Sequence, residues 1–418
     1  MITTLQAVFD LMDSHPSLRS RTSSDLISQL PEDLKHRILE RLDTREAAKT
    51  ALLSTQWNNV WLRHGRLAFT DEVLLGEGEG VRCSKMITNA LLLRPGPVKK
   101  FTLDTSQWEP AMQQSDLDLW CRCLSKNGIE HLNLTLDAHV MADNYTLPVC
   151  IIICPTIKQL KLESIDMCLP VNTRPGSMFS GVTSLEFTYV VFRRDDNLTV
   201  IHSIPYLEVL VFRECDGIDM FVINAPRLKY LSFFDAEFVA EWEWFELHFR
   251  VINTLCYGAY AFLSNTDATI NIQERLPIAT NLQVIELHDF RFADLNCVNL
   301  VIQFLRKCPK LHKLEIFILD YQSHLWGEAD PTILRDLDSW FSDLDLGELR
   351  TVKMKSFCGS RQEMLFIKLI LSKSPSLEEV LITKSGHIGT SVALKVLTEM
   401  ISCPRASPKA KIVFLRHS

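Results

Sequence analysis

The sequence predicts an α/β fold in which a small helical module precedes a long series of short parallel strands. Apolar residues recur at helical spacing between Leu34 and Trp61. Beyond Gly80, an apolar-x-x-apolar-x-apolar pattern recurs towards the C-terminus, which is typical of strands with one buried side. The composition agrees with a globular protein, since 47% of the 418 residues are apolar and 23% are charged.

Charge and hydropathy argue against two classes of protein. Lys and Arg number 44 against 51 Asp and Glu, so the net charge is −7, whereas nucleic-acid-binding proteins normally present a basic surface. Uncharged apolar stretches such as Leu147–Thr156 are far shorter than the ~20 residues of a membrane-spanning helix. We therefore expect no nucleic-acid partner and no membrane partner.

The twelve cysteines are scattered and show no zinc-binding or disulfide framework. The two close pairs are Cys121/Cys123 and Cys150/Cys154, and no C-x-x-C motif occurs. Met1–Ser20 contains acidic residues where a signal peptide would be apolar. These features favour reduced thiols in the cytoplasm and/or nucleus, and we expect no metal, cofactor or disulfide to be required.

Three short helices are expected near the N-terminus. The first begins at Pro31, followed by acidic residues that complement the helix dipole. Asp43 and Ser54 are suitable caps for the second and third helices. The apolar stripe comprises Leu34, Ile38, Leu39 and Leu42, with Trp57, Val60 and Trp61 on the third helix. This stripe either packs against the following domain or forms a docking face for another protein.

This module resembles the F-box in its plant form over Asp25–Asp71. The matching elements, in order, are Leu30–Leu34, Ile38–Leu42, Thr50–Trp61 and Arg66–Phe69. Gln56 departs from the pattern, because the family usually has an arginine beside the first tryptophan. The resemblance implies binding to a Skp-family adaptor and, through it, to cullin. The adaptor-contact positions that it implies are Leu30, Pro31, Leu34, Ile38, Leu39, Leu53 and Trp57.

The strand pattern is strengthened by a proline that precedes it in five copies, because proline can open a strand but cannot donate a hydrogen bond within one. These copies begin at Pro155, Pro205, Pro226, Pro309 and Pro375. With the copies that lack proline, the central residues are Phe101, Leu132, Leu160, Leu185, Leu210, Leu231, Leu255, Ile285, Leu314, Val352 and Val380. Their irregular spacing lies around the ~20–29 residues of leucine-rich repeats and predicts a solenoid of about eleven strands.

The C-terminal part resembles the FBD region of plant F-box proteins. The similar segments are Leu349–Ser360, Leu365–Ile382 and Cys403–Phe414. We interpret this region as the final repeats with a cap, which the open end of a solenoid requires. The predicted divisions are a flexible segment 1–24, an F-box 25–71, a connector 72–94, an irregular leucine-rich-repeat solenoid 95–348 and an FBD-like region 349–418.

No motif supports catalysis. Gly76–Gly80 is glycine-rich but acidic, so it would repel phosphate. Cys308 and His312 have the spacing of metal ligands, but they fall within a repeat, and a site needs three or four ligands. The acidic segments Glu241–Glu246 and Asp320–Glu348 are interpreted as return segments, with a patch for a basic partner and a functional loop as the respective alternatives.

Together these resemblances imply a non-catalytic substrate receptor of an SCF-type cullin–RING ubiquitin ligase, with a non-degradative scaffold as the alternative. The strand positions between the buried residues would line the target-binding face. On that face, Val209, Val211 and Tyr230 form an apolar group beside Lys229, as expected of a binding hot spot. The alternative is that a neighbouring loop covers these residues.

Overall fold

The computed structural model divides into two compact units, Met1–Asp166 and Met167–Ser418. It describes residues 26–70, 80–106, 112–136, 145–170, 178–194, 202–218, 221–234, 248–258, 277–319, 339, 341–342, 344, 346–386 and 389–415. Three predicted features lie wholly or almost wholly outside these residues, namely the segment 1–24, the glycine-rich stretch 76–80 and the acidic segment 241–246. Most of the acidic segment 320–348 also lies outside them. Within the described ranges, no helix has both the length and the apolarity needed to cross a membrane.

The three predicted N-terminal helices are present in the first unit. They are α1 (Glu32–Leu39), α2 (Thr44–Lys49) with a short 3-10 turn after it (Thr50–Leu52), and α3 (Thr55–Arg63). The Asp43 side chain accepts a hydrogen bond from the backbone N–H of Glu46 at 2.7 Å, and Ser54 caps α3 through the N–H of Trp57 at 3.3 Å. The Glu46 side chain pairs with Lys49 at 2.9 Å.

Four parallel strands follow each other in the first unit. They are β1 (Arg66–Phe69), β2 (Lys100–Asp104), β3 (His131–Thr135) and β4 (Gln159–Leu169), and the helices between them are α4 (Gly80–Leu92), α5 (Gln114–Lys126) and α6 (Val149–Ile152). β1, which the sequence analysis placed in the F-box, pairs with β2 and opens this strand series. The helical module is thus joined to the repeats through strand hydrogen bonds as well as through the chain.

The second unit continues the repeat with parallel strands in chain order. Its strands are β5 (Ser184–Arg194), β7 (Val209–Arg213), β9 (Tyr230–Phe234), β10 (Thr254–Gly258), β11 (Val284–Phe290), β12 (Lys313–Ile318), β13 (Thr351–Phe357), β14 (Glu379–Lys384) and β15 (Lys411–Leu415). The short strands β6 (His202–Ser203) and β8 (Ile223–Asn224) pair separately. The helices are α7 (Leu295–Lys307), α8 (Arg361–Lys373) and α9 (Thr390–Ile401).

All eleven predicted strand centres lie in strands, which confirms the leucine-rich-repeat architecture. A shared backbone contact explains why the repeats remain in register. The carbonyl of Glu208 accepts hydrogen bonds from the N–H groups of Lys229 and Tyr230, at 2.8 and 3.0 Å. The carbonyl of Arg350 does the same for Glu378 and Glu379 at 2.8 and 3.1 Å. One carbonyl before a strand therefore fixes the start of the next strand.

The interior of the second unit contains a cluster of phenylalanines. Phe212 lies among four other rings, with centroid distances between 5.4 and 6.1 Å. These neighbours are Phe187, Phe192, Phe221 and Phe233. Each of the five side chains is at most 2% exposed. Burial of such aromatic side chains is the main source of stability in this part of the fold.

A left-handed residue follows the regular part of several strands. Five non-glycine residues with positive φ occupy the same place, two residues after the third apolar position of the repeat pattern. They are Ser164, Tyr189, Glu214, Asp289 and Ser356, with φ between 49° and 56°. Strand register shifts after Leu287 and after Met354, where two of these residues lie. The shared conformation is a β-bulge that ends regular pairing.

We expect Ser356→Gly to stabilise the protein by about 1 kcal/mol, because a non-glycine residue in the left-handed region costs roughly 1–2 kcal/mol. Urea unfolding of the full chain measures this change. Thr351→Gly is the matched control, since Thr351 lies in the same strand and is not among the positive-φ residues. The control should lower the free energy of unfolding, and a similar loss in both variants would contradict the assignment of strain at Ser356.

Candidate functional site

The N-terminal helices and the turns beside them expose large apolar side chains, which together we call the N-terminal apolar face. Its large apolar side chains are between 38% and 68% exposed. They are Leu26, Ile27, Leu34, Ile38, Leu52 and Leu53. Isolated exposed leucines are ordinary, but six within 28 residues form the kind of cluster that marks a protein interaction site.

Hydrogen bonds from a buried lysine hold the parts of this face together. The ammonium of Lys35, whose side chain is buried, donates to the carbonyl of Ser28 at 2.5 Å and to the amide oxygen of Gln56 at 3.0 Å. It also lies 5.8 Å from the ring centroid of Trp57. The hydroxyl of Ser28 donates to that of Ser54 at 2.8 Å, so the turn containing Leu26 and Ile27 lies beside the start of α3.

The same contacts explain why residue 56 is a glutamine and not the arginine that plant F-boxes usually have beside the first tryptophan. A buried ammonium needs acceptors, and the neutral amide oxygen of Gln56 supplies one. An arginine at this position would bring a second cation close to Lys35 and remove that acceptor. Gln56 is therefore matched to Lys35 within this chain.

The predicted adaptor-contact residues divide into two groups. Pro31, Leu34, Ile38 and Leu53 are exposed and Leu30 is half-buried. Leu39 and Trp57 are each 1% exposed, so in this conformation they pack beneath the face and do not line its surface. Leu26, Ile27 and Leu52 are the exposed apolar residues that the sequence analysis omitted. They could have been identified as members of two apolar pairs, Leu26–Ile27 before α1 and Leu52–Leu53 before α3.

A half-buried arginine attaches the module to the first repeat. The guanidinium of Arg94 donates to the backbone carbonyls of Trp61, at 2.7 Å, and His64, and lies 4.6 Å from the Trp61 ring. Burial lowers the pKa of Arg94 to about 10. Close packing continues at Gly96, where an added Cβ would lie 2.7 Å from the Cα of Arg63. The carbonyls at the end of α3 are satisfied by this contact.

His64 remains uncharged at neutral pH. Burial, and then the charge of Arg94, lowers its pKa to about 4. Its ring lies 6.0 Å from that of His36 and 6.5 Å from that of Trp61. The neutral imidazole thus contributes packing at the end of α3 and needs no counter-ion.

The predicted target-binding residues lie on the strand face of the second unit. Val209 and Tyr230 are register partners on β7 and β9 and are half-buried. Val211 is 6% exposed, so little of it can contact a partner. Lys229 is exposed and its ammonium lies 2.8 Å from the carboxylate of Glu208. Burial raises the pKa of Tyr230 to about 12, so its hydroxyl remains a hydrogen-bond donor.

A line of stacked side chains crosses the same face further along, and we call it the aromatic row. Its members are Arg213, Phe234, His288, Phe317 and Lys355. The His288 ring centroid lies 4.3 Å from that of Phe234 and 3.8 Å from that of Phe317. The sequence analysis did not identify any member of this row as a candidate site residue.

Potential metal ligands meet at one place on this face. In the part of the chain that the structure describes, the donor atoms of Cys256, Glu286 and His288 lie within 4.8 Å of one another. However, burial and then the positive charge of Lys355 lower the pKa of His288 to about 4. Burial is the larger cause, but the positive charges of Lys355 and Arg213 that disfavour a protonated imidazole would also repel a divalent cation. We therefore assign no metal role to this group.

Comparisons with known proteins match both parts of the chain. A family model of the F-box domain matches residues 27–68. A model described as the At1g61320/AtMIF1 LRR domain matches residues 95–248.

Similar proteins from Arabidopsis thaliana extend over nearly the whole chain. F-box/FBD/LRR-repeat protein At1g13570 is 28% identical over 94% of this chain and 99% of its own length. FBD-associated F-box protein At5g56370 is 22% identical over 93% of this chain and 100% of its own length.

These matches fit the geometry. F-box domains in general bind Skp-family adaptors, and proteins that combine them with leucine-rich repeats are generally non-catalytic substrate adaptors. Five of the six residues of the exposed apolar face lie within the residues matched by the F-box model. The chain therefore carries an F-box domain followed by a leucine-rich-repeat domain, and it is similar over most of its length to an Arabidopsis F-box/FBD/LRR-repeat protein.

Proposed function

We propose that this protein is the substrate-receptor subunit of an SCF-type cullin–RING ubiquitin ligase. The observation that supports this most directly is the N-terminal apolar face, of which five of the six residues lie within the matched F-box residues. In this proposal, the face binds a Skp-family adaptor, which in turn binds cullin. The scattered, mostly buried free cysteines favour the cytoplasm or nucleus as its location.

The contribution to catalysis is positional. The strand face of the repeats binds a target protein, and the complex holds a lysine of that target near a ubiquitin-charged conjugating enzyme. Such tethering raises the effective concentration of the two reactants and orients them, while the enzyme subunits perform the bond chemistry. We assign target contacts to Val209, Lys229 and Tyr230, with Val211 packed beneath them.

Reconstitution of the complex tests this proposal. The full chain, a recombinant Skp-family adaptor and cullin are mixed and separated by gel filtration. We expect all three to elute together, and we expect Leu52→Asp combined with Leu53→Asp to remove both partners, since a buried unpaired carboxylate is costly. Binding of the adaptor without cullin would favour the non-degradative scaffold, and binding of neither by the folded wild-type chain would reject the proposal.

A further inference from the structure

Strand register brings the members of the aromatic row together from distant parts of the chain. Arg213 is paired with Phe234, Gly258 with His288, and Phe317 with Lys355. Gly258 has no side chain, which leaves a gap between β9 and β11. The imidazole of His288 reaches across this gap to the Phe234 ring, at a centroid distance of 4.3 Å.

A cation stands at each end of the row. The guanidinium of Arg213 lies 5.6 Å from the Phe234 ring centroid, and the ammonium of Lys355 lies 4.3 Å from that of Phe317. Both cationic residues are exposed, whereas the three rings between them are half-buried. The row therefore presents an aromatic strip with a positive charge at either end.

The imidazole at the centre of the strip carries no charge at neutral pH. Burial and then the positive charges of Lys355 and Arg213 lower the pKa of His288 to about 4, while Glu315 acts in the opposite direction. Its neutral ring stacks on Phe317 at 3.8 Å. The surface between the two cations is thus suited to apolar groups.

The hydrophobic core of the repeats does not include this strip. On the opposite side of the same strands, Phe233, Leu287 and Ile316 are fully buried. Half-exposed rings on the strand face therefore add little to the core, although ring–ring and cation–π contacts of this kind can each contribute about 0.5–1.5 kcal/mol. An exposed aromatic surface of this type is more typical of a binding hot spot.

Neighbouring charges favour an acidic partner. The carboxylate of Glu315 lies 2.6 Å from the ammonium of Lys313 and 3.0 Å from that of Lys353, so this group retains one positive charge. The other acidic residues of β11 are Glu286 and Asp289, and Glu214 follows Arg213. The positive charge therefore belongs to the two ends of the row, where Arg213 and Lys355 are exposed, and not to its surroundings as a whole.

We propose that the aromatic row binds an extended peptide segment of the target that has acidic residues at both ends and apolar residues between them. This inference rests on the proposed function. Arg213 and Lys355 are separated by five strand spacings. At ~4.8 Å each these spacings give about 24 Å, which matches about seven extended residues at ~3.4 Å per residue. The carboxylates would meet the two cations, and the apolar side chains would cover the rings.

Labelled peptides test the proposal without knowledge of the target. The probes are fluorescein-labelled nonapeptides with two aspartates at each end and five central residues drawn from Ala, Leu and Phe. A matched set has lysines in place of the aspartates. Fluorescence anisotropy with the full chain at low salt should show at least tenfold tighter binding of the acidic set.

Charge reversal supplies the decisive variant. Arg213→Glu combined with Lys355→Glu should reverse the preference towards the lysine peptides, and Phe317→Ala should weaken binding of the acidic set at least fivefold. Lys411→Glu, on β15 away from the row, is the matched control and should leave the preference unchanged. Urea unfolding verifies that each variant is folded.

Two results would overturn the proposal. One is equal binding of the two peptide sets by the wild-type chain. The other is an unchanged preference in the folded charge-reversal variant, which would leave the row with only a role in linking strands. The charge-reversal variant should still bind the Skp-family adaptor. Failure of the peptide assay alone therefore rejects the peptide-binding role of the aromatic row. Failure of the wild-type chain to bind the adaptor instead rejects the proposed function.

Discussion

Replacing Leu34 and Ile38 together by aspartate is expected to abolish binding of the Skp-family adaptor. The two side chains lie one turn apart on α1 and are 39% and 38% exposed. Because they are exposed in the free protein, the change should disturb the interface more than the fold. Each truncated anchor typically costs about 2 kcal/mol or more, so the pair should weaken binding by more than a hundredfold.

Calorimetric titration of the adaptor into the full chain measures this loss. Leu92→Asp is the matched control, because Leu92 is 56% exposed and lies outside the F-box helices. The control should bind the adaptor as the wild type does. If the folded double variant retained wild-type affinity, the N-terminal apolar face would not be the adaptor site.

Phe212→Ala is expected to cause the largest loss of stability among single changes in the second unit. The ring is fully buried and stacks on Phe233 at 5.4 Å, with three further phenylalanines around it. Truncation of such a side chain removes its transfer free energy and leaves a cavity, which typically costs about 3–5 kcal/mol.

Urea unfolding of the full chain, followed by the fluorescence of both units, measures this change. Phe234→Ala provides the comparison, since Phe234 lies in the neighbouring repeat but is only half-buried. Phe234→Ala should lower the free energy of unfolding clearly less than Phe212→Ala does. Equal losses would mean that the phenylalanine cluster is not the main source of stability in the second unit.

The helix caps and the strand centres could be predicted because their signals are local. Asp43 and Ser54 cap helices through residues three positions away, and every strand centre follows from a pattern six residues long. The F-box resemblance also depends on short spaced motifs. Such features need no knowledge of which strands become neighbours.

The burial of individual site residues required the tertiary structure. A helical stripe contains both the residues that face a partner and those that face the neighbouring helix, and spacing alone does not separate them. Leu39 and Trp57 proved to be buried, while Leu34 and Ile38 are exposed. Val211 is likewise buried although the residues beside it are more accessible.

The aromatic row could not be predicted from the sequence, for a different reason. Its members come from separate repeats, and the intervals between them are irregular. The edge-to-face contact of His288 with Phe234 also depends on a glycine in the strand between them. Only the observed register identifies these residues as neighbours.

A single backbone carbonyl before one strand fixes the start of the next strand. The position of a strand in the sheet therefore does not depend on the number of residues in the repeat. Successive strand centres are between 21 and 38 residues apart, yet β2 to β4, β7 and β9 to β14 each begin from the same pair of backbone hydrogen bonds. These bonds do not depend on side-chain identity. Insertions or deletions in one return segment can therefore be accommodated while the neighbouring strands keep their register, so that the outer surface of the repeats can change independently of the strand face, which we propose to bind the target.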